Sequence, residues 1–202
     1  MAGVAVAALL LGACTVSGGR VDAEPERFEP APTASLADVV QPVLDAPRDS
    51  RQVGDGETFS VFAPAEFQQS ERAGPGGVSM LVLQGPADDP GSVVEVVAFS
   101  DPEVATPVAE QMAALAATLV DVRGATDVRR ESVQWPGTTD AVLVRWTEET
   151  ATASGSVTQT FAQLTVETED GRSATVVAVA PVADFESSGV FDVLRSLSVE
   201  RV

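Results

Sequence analysis

Residues 156–180, SVTQTFAQLTVETEDGRSATVVAVA, decide the fold of this chain. Two runs of alternating residues flank Glu169-Asp170-Gly171-Arg172, and an Asp-Gly pair between such runs is a strong β-hairpin signal. The pattern predicts antiparallel strands over 156–168 and 173–180. One face of the first strand is apolar and the other is mixed: Ala162, Leu164 and Val166 lie opposite Gln159, Phe161 and Gln163. We therefore expect one face to pack in a core.

Further strands are predicted in the chain before this hairpin. Alternating or apolar runs bounded by Gly, Pro and Asp indicate strands over 58–62, 67–72, 78–84, 92–100, 128–135 and 140–147. Turns are expected at 74–77, 88–91 and 136–137. The strand over 92–100 is apolar on both faces, which is typical of a central strand.

Two helices complete the pattern. The first is predicted over about Pro107 to Leu119 by a 3.6-residue period, with Thr106 as N-cap and Pro107 as first helical residue. Its apolar positions are Val104, Val108, Met112, Leu115, Leu119 and Val122. We expect its alanines, Ala113, Ala114, Ala116 and Ala117, to approach a sheet, and Glu110 and Thr118 to face water. The closing helix carries Val190, Phe191, Leu194 and Leu197, with Asp184 or Ser187 as its cap. This order predicts an α+β fold, an antiparallel sheet with helices packed on it.

The N-terminal residues predict a targeting signal. Residues 2–11 are apolar apart from Gly3, a length typical of a signal-peptide core and too short to span a bilayer. Leu11-Gly12-Ala13-Cys14 resembles the bacterial lipobox, in which a lipid is attached to the cysteine and a peptidase cuts before it. The resemblance implies a signal peptide over 1–13 and lipidation of Cys14 on the outer face of the cell membrane. The alternative is an ordinary buried cysteine. No Arg or Lys precedes Cys14, so we expect either that the true start codon lies upstream of Met1 or that the sequence was trimmed.

Residues 14–54 are rich in Pro, Ala and acids and lack sustained periodicity. This composition predicts a flexible tether, with the globular domain over 55–202. Ser35 to Val40 could form a short helical turn before Pro42, so docking of residues 35–45 on the domain stays open.

Composition excludes several functions. The net charge of −18 argues against nucleic acid and against electrostatic binding to anionic lipid. The chain has no Lys, Ile, Asn, Tyr or His, and its 12 basic residues are all Arg, a bias typical of a high-GC bacterium such as an actinobacterium. Without His there is no imidazole base or imidazole metal ligand. With Cys14 lipidated, no disulfide or free thiol remains.

The sequence contains no complete catalytic or nucleotide-binding motif. No nucleophile elbow, P-loop, dinucleotide fingerprint, HExxH or CxxC is present, and Gly54-Asp55-Gly56 is interpreted as a turn. Ser154, Ser156 and Ser173 have no His or Lys as a base, so we predict no catalytic residue and no cofactor.

Acidic and aromatic residues are the remaining candidate sites. A partial resemblance to a calcium loop is found at Glu167, Glu169, Asp170 and Gly171, and further acidic pairs are Glu148-Glu149 and Asp88-Asp89. None of them has the twelve-residue spacing with a terminal Glu that a calcium loop requires. We interpret them as solvated hairpin tips and predict no metal site, with a weak divalent-ion site as the alternative. Trp135 and Trp146 are interpreted as packing residues or, together with Arg145, as a candidate partner-binding patch.

Five segments together resemble the actinobacterial LpqN-type lipoproteins. They are the Phe59–Pro64 opening, the long middle helix, the Arg145-Trp146 strand, the hairpin from Gln159-Thr160-Phe161 through Gly171 to residues 174–177, and the closing residues 191–197. These proteins are related to the PsbP-like fold, an α-β-α sandwich around an antiparallel sheet. The likeness covers Glu57 to Val199 and departs from the family at Glu66-Phe67, where Gly-Trp is frequent. It implies a noncatalytic envelope lipoprotein acting through protein contacts.

Three functional hypotheses follow. The first is a membrane-tethered binding or scaffold module that recruits cell-envelope proteins, with Trp135, Trp146 and Arg145 as candidate contacts. The second is a small-ligand or divalent-ion binding lipoprotein. An envelope hydrolase is the third, and the missing catalytic groups disfavour it.

Overall fold

The computed structural model describes residues 40–87, 92–152 and 155–199. Residues 1–39, with Cys14 and most of the predicted tether, lie outside the described residues. So do the predicted turn at 88–91, with Asp88 and Asp89, and Ser154. Among the described residues, no helix has the length and apolar character needed to cross a membrane.

Strands dominate the described chain. In chain order the elements are β1 Ser50–Gly54, β2 Phe59–Pro64, β3 Gln68–Ala73, β4 Ser79–Gln84, β5 Glu95–Asp101, α1 Val108–Asp121, β6 Thr126–Ser132, β7 Thr138–Thr152, β8 Gly155–Thr168, β9 Ser173–Pro181, α2 Val190–Arg195 and β10 Ser198–Val199. A short 3₁₀ turn, Pro75–Gly77, lies between β3 and β4. The predicted α+β class is confirmed.

Seven strands form one antiparallel sheet in the order β3-β4-β5-β9-β8-β7-β6. The predicted hairpin of β8 and β9 lies inside this sheet, and Gly171 in its turn has a φ of 79°, which favours glycine. β5 joins β9 to β4 and is an interior strand, as predicted. A smaller sheet has the order β1-β2-β10.

The main core lies on one face of the large sheet. Side chains of the sheet such as Leu143, Leu164 and Val176 are fully buried there against Phe59 of β2 and Leu194 of α2. The predicted caps of α2 are wrong. The helix instead begins after Gly189, which has a φ of 81° and has no side chain with which to cap.

The opposite face of the sheet packs against α1. Val108, Met112 and Leu119 of α1 pack with a buried group on the sheet that includes Val142, Val144 and Trp146. The prediction that the alanines of α1 face the sheet is wrong for Ala113, Ala114 and Ala117, which are exposed. The larger apolar residues take the sheet-facing stripe, so alanines between them point outward. Pro107 is the N-cap, with a non-helical ψ of 139°, so the helix starts one residue later than predicted.

The folded domain begins earlier in the chain than the predicted boundary at residue 55. Ser50–Gly54, assigned to the tether from its sequence, forms β1 and pairs with β2. Val40 is only 3% exposed. The amide of Val43 donates to the Arg195 carbonyl over 2.8 Å, and Arg195 Nε donates to the Gln41 carbonyl over 2.9 Å. Residues 40–43 are therefore docked on the domain.

Candidate functional site

The two tryptophans proposed from the sequence as partner contacts are buried on opposite faces of the sheet. Trp135 is 6% exposed in the main core, and its indole N–H donates to the Leu197 carbonyl over 2.9 Å. Trp146 is 3% exposed beneath α1 and stacks on Phe161, with ring centroids 5.0 Å apart and planes 6° from parallel. They share no surface, and the arrangement supports the packing interpretation of both.

Arg145, the third candidate, remains partly accessible. Its side chain is 27% exposed, and its Nη2 donates to Oε1 of Glu186 over 2.9 Å. The guanidinium carbon lies 4.8 Å from the ring centroid of Phe185 and 5.9 Å from that of Phe191. A cation over an aromatic face is attracted to the ring quadrupole. Two rings and a carboxylate therefore hold this guanidinium in one position.

Three elements assemble this cluster. β7 contributes Arg145, the turn after β9 contributes Phe185 and Glu186, and α2 contributes Phe191. The two phenylalanine rings contact each other, with centroids 5.6 Å apart. Both are buried in the main core, so the guanidinium lies where that core meets solvent.

A second arginine lies directly opposite Arg145. Arg129 of β6 is its cross-strand partner, and β6 is the last strand of the large sheet. Arg129 is exposed and has no hydrogen-bond or ion-pair partner among the described residues. Like charges placed opposite each other destabilise a sheet. We call the group of Arg129, Arg145, Phe185, Glu186 and Phe191 the Arg129/Arg145 surface.

The acidic tip of the β8–β9 hairpin is occupied by its own contacts. Nε of Arg172 donates to Oδ2 of Asp170 over 2.6 Å, and the Thr168 hydroxyl donates to Oδ1. These two hydrogen bonds, that from Arg172 first, lower the pKa of Asp170 to about 2. Arg172 also contacts the Glu57 carbonyl. Asp170 thus fixes a turn, and no cluster of three or more metal-ligating side chains occurs within the described ranges.

Asp55 likewise fixes a turn. Its Oδ1 accepts the backbone amides of residues 57, 58 and 59, and its Oδ2 accepts the Ser100 hydroxyl. Burial opposes ionisation, but these hydrogen bonds outweigh it and lower the pKa of Asp55. Gly54 is the last residue of β1, so the interpretation as a turn holds for Asp55 and Gly56, which lie in the loop between β1 and β2.

Neither described candidate serine has the partners of a nucleophile. The exposed Ser156 hydroxyl donates to the Glu149 carboxylate. Ser173 is 7% exposed, at the start of β9. Because the chain has no His or Lys, neither side chain can meet an imidazole or amine base.

Two features were not foreseen from the sequence. A groove of about 680 Å³ lies where the described chain begins, between residues 40–42 and residues 132–136. Glu95 is 1% exposed on the sheet, where it accepts Nε2 of Gln84 at 3.2 Å and lies 3.7 Å from Nη2 of Arg72. Both depend on segments brought together by the fold, so no local pattern indicates them.

Of the three residues predicted as partner contacts, Arg145 alone stays partly accessible, and the sequence did not predict Arg129 or Glu186 beside it. In comparisons with known proteins, no family model matches the chain, and no curated protein matches it either.

Proposed function

We propose that this chain is a membrane-anchored extracytoplasmic lipoprotein whose domain acts as a noncatalytic binding or scaffold module in the cell envelope. The lipobox-like residues 11–14 support the anchor. About 25 residues separate Cys14 from Val40, which is docked on the domain. A flexible coil of that length would span roughly 25–30 Å. That length would keep the domain close to the membrane but free to meet a partner.

The proposal extends to the finer description of the fold. α1 covers one face of the large sheet, and α2 with the small sheet covers the other. This layering is compatible with the α-β-α sandwich of the PsbP-like fold that the resemblance to LpqN-type lipoproteins implies. We therefore propose that the domain has this fold.

The single observation that carries the binding role is the Arg129/Arg145 surface. Arginine is enriched in protein interfaces because its planar fork forms several hydrogen bonds and packs on aromatic rings. Here Arg145 is held in position, and Arg129 lies opposite it with no described partner. A protein partner that supplies an anionic group would relieve the repulsion between them.

Catalysis has less support than binding. The acids with the most hydrogen bonds, Asp55 and Asp170, already accept groups of their own turns. Ser156 is paired only with a carboxylate. The small-ligand alternative rests on the groove at residues 132–136, whose volume is in the range of ligand pockets. A thermal shift with a small apolar ligand, lost in Trp135→Ala but not in Arg129→Gln, would favour that alternative.

The anchor is tested by fractionating actinobacterial cells that express the chain or its Cys14→Ala variant, with Ser17→Ala as a matched control. We expect the chain and the control in the membrane fraction with a lipid-modified Cys14, and the Cys14→Ala variant released once its leader is removed. A processed Cys14→Ala protein that stays in the membrane contradicts the proposal.

The binding role is tested by photo-crosslinking in the same intact cells. A photoreactive residue replaces Glu186, whose side chain is 66% exposed beside Arg145, or Thr118, which is exposed on α1 across the sheet. We expect one protein partner crosslinked reproducibly at position 186 and absent at position 118. Identical patterns at the two positions, or no crosslink at either, would contradict a partner at this surface.

A further inference from the structure

The guanidinium of Arg145 has N–H donors that remain without an acceptor among the described residues. Arg145 carries five N–H donors, and among the described residues only its Nη2 has an acceptor, in Glu186. The rings of Phe185 and Phe191 restrict the guanidinium without using these donors. Because the group is already held, little further side-chain entropy is lost when another acceptor binds.

Arg129 brings a second set of donors to the same place. In an antiparallel pair, the Cβ atoms of opposite residues lie about 4.5–5.5 Å apart on one face of the sheet. Arg129 and Arg145 are opposite residues of this kind. Two arginine side chains that start so close can reach one anionic group, and that group would remove their mutual repulsion.

Glu186 indicates which anion fits. Its carboxylate already accepts from Arg145, although it is 66% exposed, and exposed ion pairs of this kind contribute about 0–1 kcal/mol. An incoming carboxylate could therefore share or replace this contact. The net charge of −18 repels broad anionic surfaces such as nucleic acid or an anionic bilayer. A short acidic peptide segment meets less repulsion than such an extended surface.

We infer that the Arg129/Arg145 surface binds a carboxylate side chain in an acidic peptide segment of a partner protein. This inference rests on the proposed binding function and names the chemistry that the surface recognises. Charge-assisted hydrogen bonds to Arg129 supply the specific attraction, and Arg145 supplies the fixed guanidinium beside it.

The test titrates the full chain, in detergent micelles and with ¹⁵N-labelled arginine, with a blocked tetraglutamate peptide. Nuclear magnetic resonance follows the arginine side-chain N–H signals. We expect shifts of the Arg129 and Arg145 signals with tetraglutamate and none with tetraglutamine. Arg129→Gln should weaken binding by about tenfold or more, as expected for the loss of charged hydrogen bonds. Arg129→Glu should abolish it.

Arg48→Gln is the matched control, because Arg48 is also exposed and has no partner among the described residues. It should leave binding unchanged. Equal weakening by Arg48→Gln and Arg129→Gln would overturn the inference, as would equal shifts with tetraglutamine or no shift at all. Stronger binding of inorganic phosphate, or of soluble glycerol phosphate as the headgroup of an anionic lipid, would also overturn it by showing a different anion. Since this binding is measured on purified protein, its failure is separate from failure of anchoring or crosslinking in cells.

Discussion

Replacing Arg145 by methionine should destabilise the domain without emptying the space that its side chain fills. Methionine keeps the unbranched stem but removes the charge. Contacts of a cation with an aromatic ring at partly exposed sites contribute about 0.5–1 kcal/mol each, and an exposed ion pair contributes about 0.2–1 kcal/mol. With Phe185, Phe191 and Glu186 as partners, we expect Arg145→Met to lower the free energy of unfolding by about 1–3 kcal/mol.

A double-mutant cycle isolates the ring contact. Urea denaturation of Arg145→Met, Phe185→Leu and the double variant should give a coupling energy of about 0.5–1 kcal/mol. The same cycle with Phe191→Leu should give a smaller value, because its ring centroid is 5.9 Å from the guanidinium carbon against 4.8 Å for Phe185. Arg129→Met is the control and should leave stability unchanged or raise it. A coupling to Phe185 within error of zero, or a larger coupling to Phe191, would refute this account of Arg145.

Three further outcomes are expected. Gly85→Ala should lower the free energy of unfolding by about 1–3 kcal/mol, because the added Cβ would lie 2.8 Å from Cζ of Phe67. An unchanged midpoint in urea denaturation would show that the site has room and would contradict this prediction. Arg172→Gln should raise the pKa of Asp170 from about 2 toward its ordinary value of 3.8, measured by carboxyl NMR titration. Since the pKa of Asp170 is lowered in the folded state, the ionised carboxylate stabilises the fold above about pH 4, and this stabilisation is lost toward pH 2. An unchanged pKa of Asp170 in Arg172→Gln would contradict the role of Arg172. Trp135→Phe should cost about 1–3 kcal/mol of stability, because a buried carbonyl loses its indole donor, and a loss within error of zero in denaturation would contradict this.

The large sheet could be predicted because its signals are local. The Asp-Gly turn and the alternation beside it define β8 and β9, and the 3.6-residue period defines α1. β1 carries no such signal. Of its five residues only Val53 is a sizeable apolar residue, and it is just partly buried, so pairing with β2 makes this segment a strand.

The candidate site was less predictable because it depends on register. Trp135 comes after β6 has ended at Ser132, so alternation along the strand does not determine the side on which it packs. Arg129 could be placed opposite Arg145 only from the β6–β7 register, which contains a bulge after Thr126. Glu186 is 41 residues from Arg145 in the chain, in a turn with no periodic pattern.

Arg129 differs from most of the described arginines because it has no hydrogen-bond or ion-pair partner among the described residues. Among the described arginines, five form ion pairs: Arg72, Arg123, Arg145, Arg172 and Arg195. Arg51 and Arg130 donate to backbone carbonyls. Only Arg48 and Arg129 are left, and only Arg129 faces another arginine across a strand pair. Tryptophan, tyrosine and arginine dominate the binding energy of protein interfaces. Both tryptophans are buried and tyrosine is absent from the chain, so arginine is the one of these three residue types with exposed members among the described residues.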